Sequence, residues 1–533
     1  MASTPTTKSQ VQAYKFVLRR MESALARRDP VMLHDPLGSH KRATIAGIII
    51  SCVGMIGFLV WGLFGGQGSV PKPGSVVIAK ESGSVYVVTA DDNADKRLIP
   101  MLNMASAKLL VMAKGGGGRG QEITPTVVQQ SALEDFPRGP RTGMPNAPEF
   151  LPDAKNSATP AWAVCDVGEV NTKLDDARIQ GATTVETTVI GGDGHHGTEL
   201  RMKQSLYVQE PSTDQRYLIY RVEVLPGQGR EHIRSVKARI DTRDDAIMEM
   251  YGLRGAVPRA VSTNMLNAIP EVPALNVPDL GSGPATYMAG NYEIGDVVSR
   301  VVPGRPDQFF VLRADGKQQV SAGAAAVLHA KRDSSTDIPV PTGELTDVPE
   351  AEKNPLAVGH FPTQVPKPVT FRESNTSCLS WKSEFGNHHI TVTLSDGSPT
   401  KQTKAPVKLA QYDGAGPRVD YFYMPPGKAA VVHGTPNEAS SGSGPISLVS
   451  DRGVVFGIKD IATAQGLGVI NSGSDIKDAP PSILGILPQG AFLDPARASF
   501  VYDSIPLEEG GGVNRPPKEG QQSRPGGAVA AGT

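Results

Sequence analysis

An uninterrupted apolar run near the start of the chain limits its fold more than any other feature. From Ala43 to Phe64 the sequence reads ATIAGIIISCVGMIGFLVWGLF, 22 residues without a charged side chain. A helix of this length extends about 33 Å, enough to cross the hydrocarbon core of a bilayer. Both faces would be apolar, whereas a helix of this length in a soluble domain normally carries a polar face. We therefore predict a transmembrane helix over 43–64.

The position of the run favours a permanent anchor over a cleaved signal. A secretory signal begins near residue 1, has a shorter apolar centre and ends in a small-residue cleavage site. Here 42 residues precede the run, and no A-x-A pattern follows it. We predict a permanent, uncleaved single-pass anchor.

Basic residues on one side of the run predict its orientation. Eight of them precede it, whereas Lys72 and Lys80 alone fall within the next twenty residues. Positively charged flanks stay in the cytosol, so we expect residues 1–42 to form a cytosolic basic arm and the bulk of the chain to lie outside the cytoplasm. Over the whole chain 53 basic side chains balance 54 acidic ones, and nothing in this composition suggests a nucleic-acid partner.

The arm contains an amphipathic pattern. Val11, Tyr14, Leu18, Met21 and Leu25 recur at steps of three and four, which places them on one face of a helix. The basic residues expected to contact lipid or a cytosolic partner are Lys15, Arg19, Arg20, Arg27, Arg28, Lys41 and Arg42. The sequence leaves open whether this helix lies on an anionic leaflet or docks against a partner protein.

Small side chains recur along the predicted span. Ala43, Gly47 and Ser51 are four residues apart, so they share one helical face. Such a track allows close approach of a second helix. We expect it to contact a neighbouring membrane helix.

Beyond the anchor, residues 65–506 are predicted to form a large β-rich α+β domain outside the cytoplasm. Glycine and proline, 58 and 44 in the whole chain, separate short runs rich in Val, Ile, Tyr and Phe. Four stretches resemble one another, each with a β-rich hairpin before a small-residue helix or turn, near 75–111, 206–253, 297–331 and 446–470. We interpret them as about four degenerate repeat modules around a core. Residues 507–533 have almost no large apolar side chains and are predicted to be disordered.

The three cysteines divide between the two regions. Cys52 lies in the span, which leaves Cys165 and Cys378 as a pair in the outer region. An even count in an oxidising compartment favours a disulfide, although two free buried thiols remain an alternative. If formed, the bridge would close a loop of some 213 residues and join the two halves of the outer region.

The sequence gives little support for chemistry or for a cofactor. It has no G-x-x-x-x-G-K-[ST] phosphate loop and no G-x-S-x-G nucleophile motif. The adjacent pairs His195-His196 and His388-His389 would point to opposite faces of a strand, so neither pair alone forms a metal site. We predict no catalytic, cofactor-binding or metal-binding residue, and leave open an envelope-facing ATPase or a stand-alone cell-wall-binding protein.

Several longer segments stand out along the chain, in this order: TKSQVQAYKFVLRRMESALARRDPVMLHDPLGSHKRA, RLIPMLNMASAKLLV, DFPRGPRTGMPNAPE, WAVCD at Cys165, STNMLNAIPEVPAL, SCLSWK at Cys378 and ILPQGAFLDPARASFVYDSIP. Together they resemble the EccB family, the single-span membrane subunit of type VII (ESX) secretion systems. The resemblance covers roughly residues 7–506, and it implies a single-pass protein of the inner (plasma) membrane with the bulk of the chain on the periplasmic side.

The resemblance implies a structural subunit of an inner-membrane translocation complex. The expected partners are an EccC-type motor ATPase, EccD, EccE and a mycosin protease, together with further copies of the outer domain and possible contact with peptidoglycan. It also implies a β-rich core with four repeat modules like those of a phage-lysin wall-binding subunit, and a bridge between Cys165 and Cys378. Members of the family have been named ATPases.

Overall fold

The computed structural model describes residues 7–28, 36–64 and 72–503, apart from 91–95, 117–119, 159, 193–194, 196, 224–233, 302–303, 305, 333–337, 354, 385 and 401–404. The chain divides into two compact bodies. The first comprises 1–71 with 128–135, and the second comprises 72–127 with 136–533. The tail predicted to be disordered, 507–533, lies outside the described residues.

The first body contains two helices, α1 (Lys8–Arg27) and α2 (Pro36–Phe64). Helix α2 ends where the predicted span ends but begins seven residues earlier, since proline fits the first turn of a helix, where its missing N–H costs nothing. Within α2, Arg42–Val60 is long and apolar enough to cross a membrane and is exposed throughout. The helix therefore includes residues 36–42, which the charge pattern had assigned to the arm.

The second body contains a recurring arrangement that we call the βββαβ unit. Three antiparallel strands and a helix are followed by a fourth strand, which lies beside the first. The first unit, 76–128, consists of β1 (Val76–Ala79), β2 (Val85–Ala90), β3 (Lys96–Pro100), α3 (Met104–Ala113) and β4 (Thr126–Val128). Its strand order is β3-β2-β1-β4.

Between the first and second units the chain forms β5 (Ala161–Gly168), α4 (Asp176–Ala182), β6 (Val185–Gly191) and β7 (Thr198–Glu199). The second unit, 204–260, consists of β8 (Gln204–Gln209), β9 (Arg216–Val222), β10 (Arg234–Ile240), α5 (Asp245–Met250) and β11 (Arg259–Ala260). It is followed by α6 (Thr263–Ala268) and β12 (Glu271–Leu275), and β12 extends the sheet beyond β10.

The third unit, 297–339, consists of β13 (Val297–Arg300), β14 (Gln308–Arg313), β15 (Gly316–Val320), α7 (Ala322–Lys331) and β16 (Ile338–Pro339). Next come α8 (Thr342–Thr346), β17 (Lys367–Pro368), β18 (Thr376–Glu384), β19 (Asn387–Ser395), β20 (Val407–Lys408) and β21 (Tyr421–Tyr423). The fourth unit, 430–479, consists of β22 (Ala430–Gly434), β23 (Ile446–Val449), β24 (Val455–Ile458), α9 (Ile461–Leu467) and β25 (Lys477–Ala479), and α10 (Pro481–Leu484) follows. In the last three units the fourth strand is parallel to the first.

A side-chain cap begins the helix of each unit. Asn103 Oδ1 accepts the Ser106 N–H at 2.9 Å, and Asp460 Oδ1 accepts the Thr463 N–H at 2.8 Å. Asp244 and Ser321 occupy the same position before α5 and α7. Because these side chains satisfy amide groups that lack partners in the first turn, the helix begins directly after the third strand.

The units associate in pairs through their helices. One apolar core contains residues of the first and fourth units, and another contains residues of the second and third. Glycine allows the close approach: a Cβ at Gly466 of α9 would lie 2.6 Å from Met112 Sδ of α3. Tyr251, just after α5, donates its hydroxyl to the Gly323 carbonyl of α7 at 3.1 Å. A larger side chain at Gly466 would therefore push α9 away from α3.

The remaining strands form what we call the central sheet, with the order β20-β21-β6-β5-β18-β19-β7. One of its faces contributes Trp162, Val189 and Trp381 to the largest apolar core, which also includes residues of the second and fourth units. The other face carries a small cluster that includes Ala163, Ile190 and Tyr423.

Candidate functional site: the anchor helices and the disulfide-bonded sheet

Helix α1 presents the predicted apolar stripe to the surroundings. Val11, Tyr14, Leu18, Met21 and Leu25 are all exposed, Leu25 to 84%. The Thr7 N–H donates to Gln10 Oε1 at 3.0 Å at the first turn. At the other end Arg28 adopts a left-handed conformation with φ of 58°, which ends the helix. The stripe therefore lies on a capped helix, and its side chains are exposed, so that a membrane or a partner protein could contact them.

The predicted basic residues divide between the two helices. Lys15, Arg19 and Arg20 lie in α1, Arg28 is its C-terminal cap, and Arg42 lies in α2. The side chains of Arg27 and Lys41 lie outside the described residues. Lipid or partner contact by this set stays a prediction.

The small-residue track lies open on α2. Ala43, Gly47 and Ser51 are all exposed, and a Cβ added at Gly47 would meet nothing within 4 Å. The close approach of another helix to this face stays a prediction.

The predicted disulfide is present in the central sheet. Cys165 of β5 and Cys378 of β18 are directly opposite in the antiparallel register and are bonded. Both are buried, at 0% and 1% exposure, within the small cluster that also contains Ile190 and Tyr423. The bond joins strands that are 213 residues apart in sequence, and the second and third units lie between them.

A serine–histidine contact and a histidine–aspartate contact were not found from the sequence. Ser380 Oγ lies 2.8 Å from His195 Nε2, and His388 Nε2 lies 3.8 Å from Asp478 Oδ2. Ser380 is 9% exposed in the middle of β18, which leaves little room for a substrate at its hydroxyl. His195 and His388 contact different strands, and among the described residues there is no group of three or more His, Cys, Asp or Glu side chains that could hold a metal ion.

The second body is held together by a covalent bond and by buried contacts. An exposed apolar helix precedes a β-rich body whose central strands are covalently joined. The contacts that tie its parts together are buried, such as Lys108 Nζ of α3, which donates to the Leu467 carbonyl at the end of α9 at 2.8 Å. These contacts are buried in close-packed cores, where side chains interdigitate with few voids.

The chain is similar to proteins of one family of secretion-system components. The family model described as "Type VII secretion system ESX-1, transport TM domain B" matches residues 3–507. The protein called "ESX-3 secretion system ATPase EccB3" of Mycolicibacterium smegmatis is 27% identical over 518 residues, covering 94% of this chain and 91% of that protein. "ESX-5 secretion system ATPase EccB5" of Mycobacterium tuberculosis is 28% identical over 523 residues, covering 94% and 95%.

Two solved structures have a similar fold. A chain of the intact ESX-5 inner membrane complex has a TM-score of 0.63 and 26% identity, over 96% of this chain and 98% of that one. The EccB3 dimer from the ESX-3 core complex has a TM-score of 0.62 and 22% identity, over 80% of this chain and 100% of that one. Because the family model matches almost the whole sequence, the chain belongs to the EccB family of type VII secretion systems, described as ESX-1 transport TM domain B.

Proposed function

We propose that this protein is a structural component of a type VII secretion complex, anchored in the inner membrane by α2. The observation that carries the proposal is the full-length likeness to a chain of the intact ESX-5 inner membrane complex, at 26% identity over 96% of this chain. That likeness includes the region of the anchor as well as the outer domain.

The orientation follows from charge. With the basic residues before the span on the cytosolic side, the arm 1–42 lies in the cytosol and residues 65–506 lie on the periplasmic side. The disulfide between Cys165 and Cys378 supports this orientation, because such bonds persist in oxidising compartments.

The partners are those that the family resemblance implies. In the cytosol and membrane the EccC-type motor ATPase, EccD and EccE would contact α1 and the track on α2, and the mycosin protease would contact the outer domain. The exposed stripe on α1 and the open face at Gly47 support these contacts, since each leaves apolar surface for a partner.

The outer domain is proposed to consist of a core and four degenerate repeat modules. The shared strand order of the four βββαβ units supports this interpretation, although the modules extend beyond the stretches recognised in the sequence. In the fourth, for example, β22 lies before residue 446. Self-association of this domain, or contact with peptidoglycan, would use the outer surfaces of the modules.

An envelope-facing ATPase is the strongest alternative, because the relatives carry that name. The sequence contains no phosphate-binding loop, so the structural role is favoured over it. Purified full-length protein should hydrolyse ATP no faster than a mock preparation. Hydrolysis above that background would favour the alternative.

Purification in mild detergent tests complex membership. The tagged full-length chain should co-purify with multi-span membrane proteins and a motor ATPase. Gly47→Leu should reduce their recovery while the chain still inserts, because the larger side chain blocks the track. Gly57→Leu is the matched control, since it makes the same change on another side of the exposed helix. A chain that elutes alone would contradict the proposal and favour a stand-alone wall-binding protein.

A further inference from the structure

Three charged groups are buried together where the central sheet meets the second βββαβ unit. Asp166 of β5 is 1% exposed, Asp420 before β21 is 0% exposed, and Arg259 of β11 is 1% exposed. Charged side chains are rarely buried this completely unless they are paired. We call these three residues the buried charge cluster.

Asp166 holds the second unit against the sheet. Its Oδ2 accepts the Ser262 N–H at 2.6 Å, and its Oδ1 accepts the Ser262 hydroxyl at 2.6 Å and the Thr187 hydroxyl at 3.3 Å. Ser262 is also the N-terminal cap of α6. One carboxylate therefore connects β5, β6 and the junction between β11 and α6.

Asp420 continues the same network into a loop of the central sheet. Its Oδ2 accepts the Thr187 N–H at 2.7 Å, and its Oδ1 accepts the N–H groups of Gly414 at 2.8 Å and Asp413 at 3.2 Å. Thr187 thus bonds both carboxylates, one through its hydroxyl and the other through its amide. Protonation of either acid would therefore change hydrogen bonds in one connected network. That network joins β6, the loop 413–420 and the junction at 259–263.

Arg259 does not neutralise both acids. Its Nη1 donates to the Ser374 carbonyl at 2.7 Å, and its guanidinium lies 3.9 Å from the centre of the Phe371 ring. Among the described residues its Nη2 has no hydrogen-bond partner. With both acids ionised, the buried charge cluster carries two negative charges and one positive charge.

Burial changes the ionisation of all three groups. It raises the pKa of Asp166 to about 6, against the hydrogen bonds from Ser262 and the charge of Arg259, which lower it. It also raises the pKa of Asp420 and lowers that of Arg259 to about 10. The charged and titratable groups around the cluster are Glu186 on β6, Tyr421 on β21, and Tyr412, Asp413 and Arg418 in the adjoining loop.

We propose that the buried charge cluster takes up one proton from solvent as the surroundings acidify, and thereby tightens the joint between the central sheet and the second βββαβ unit. In the closed joint a proton removes the excess negative charge. In the opened joint water solvates both carboxylates, so both stay ionised at pH 5 to 7.

The sign and size follow from linkage. Asp166 binds its proton more tightly in the closed joint, at about pH 6, than in an opened joint near 3.8. As the pH falls from about 6 towards 3.8, the closed joint is therefore stabilised relative to the opened joint. This stabilisation is lost as the pH rises through 6. For one proton the closed-to-open ratio should increase about tenfold between pH 7 and pH 5.

Hydrogen exchange of the full-length protein in detergent tests the proposal. After correction for the intrinsic pH dependence of exchange, peptides covering 259–268 and 413–420 should be about tenfold better protected at pH 5 than at pH 7. Asp166→Asn, which cannot titrate, should remove this difference. The matched control is Asp475→Asn in the fourth unit, where the carboxylate accepts the Asn471 and Ser472 N–H groups outside the joint. It should keep the difference.

Protection that does not change with pH in the unaltered protein would overturn the proposal, whatever the variants do. The same tenfold change in Asp166→Asn would also overturn it. Should that variant fail to fold, Asp420→Asn supplies the second test, since Thr187 joins the two acids. Without the charge of Asp420 the cluster has no excess negative charge, so a retained tenfold change in a folded Asp420→Asn protein would also overturn the proposal.

Discussion

Removal of the disulfide should strongly destabilise the second body. Cys165 and Cys378 close a loop of 213 residues. In the chain-entropy description a loop of this length lowers the entropy of the unfolded chain by enough to contribute about 5 kcal/mol. Total stability for a domain is about 5–15 kcal/mol, so a loss of this size leaves the domain marginal.

The double variant Cys165→Ala/Cys378→Ala removes the bond without leaving a lone buried thiol. Urea unfolding of the full-length protein can be followed by tryptophan fluorescence, because Trp162 and Trp381 are paired on the same two strands as the cysteines. We expect the free energy of unfolding to fall by about 5 kcal/mol. Cys52→Ala is the control, since Cys52 is free and exposed on α2, and it should leave the transition unchanged.

A loss below about 1 kcal/mol would refute this reasoning. It would mean that the unfolded chain already keeps the two strands close, or that the bond is strained enough in the native sheet to cancel its entropic benefit. Equal losses in the double variant and in Cys52→Ala would show that the assay reports on the anchor and not on the sheet.

Two further substitutions test the packing around the helices of the βββαβ units, each by urea unfolding. Lys108→Met should destabilise by about 1–3 kcal/mol, because the buried Leu467 carbonyl loses its donor, whereas exposed Lys114→Met should change little. Gly323→Ala should cost about 1–3 kcal/mol, because the added Cβ would lie 2.3 Å from the Pro362 carbonyl oxygen. Gly343→Ala, with nothing within 4 Å, should cost nothing; equal effects of the two alanines would contradict this account of the α7 contact.

The anchor and the disulfide could be predicted because one depends on the length of an apolar run and the other on the number of cysteines. An apolar run of 22 residues has few alternatives to a membrane span, and three cysteines with one in the span leave a single pair. The start of α2 could not be predicted in the same way. Residues 36–42 carry charge, and the helix continues through them to Pro36.

The βββαβ units were only partly predictable. Hairpins followed by small-residue helices are visible in the sequence, but the fourth strand lies after a connection of variable length and pairs with the first strand of its unit. In the third unit that strand is only Ile338–Pro339, too short to give a pattern. In the fourth unit, β22 precedes the recognised stretch.

The buried charge cluster could not be predicted at all. Asp166 is 96 residues from Ser262, and Thr187 is 233 residues from Asp420, so each partner is brought by the fold of a separate segment. A single aspartate in WAVCD and a single arginine in VPRAV look like ordinary surface residues until the sheet order is known. The same limitation applies to the contact between Ser380 and His195.

The measurement that tests the central claim most directly is the culture-filtrate proteome of cells whose chromosomal copy has been deleted. We expect the small helical-hairpin proteins exported by the type VII system to disappear from the filtrate and to return when the full-length chain is restored. A chain that begins at Lys72, and so lacks α1 and α2, should not restore them. An unchanged filtrate after deletion would contradict the assignment to the secretion complex.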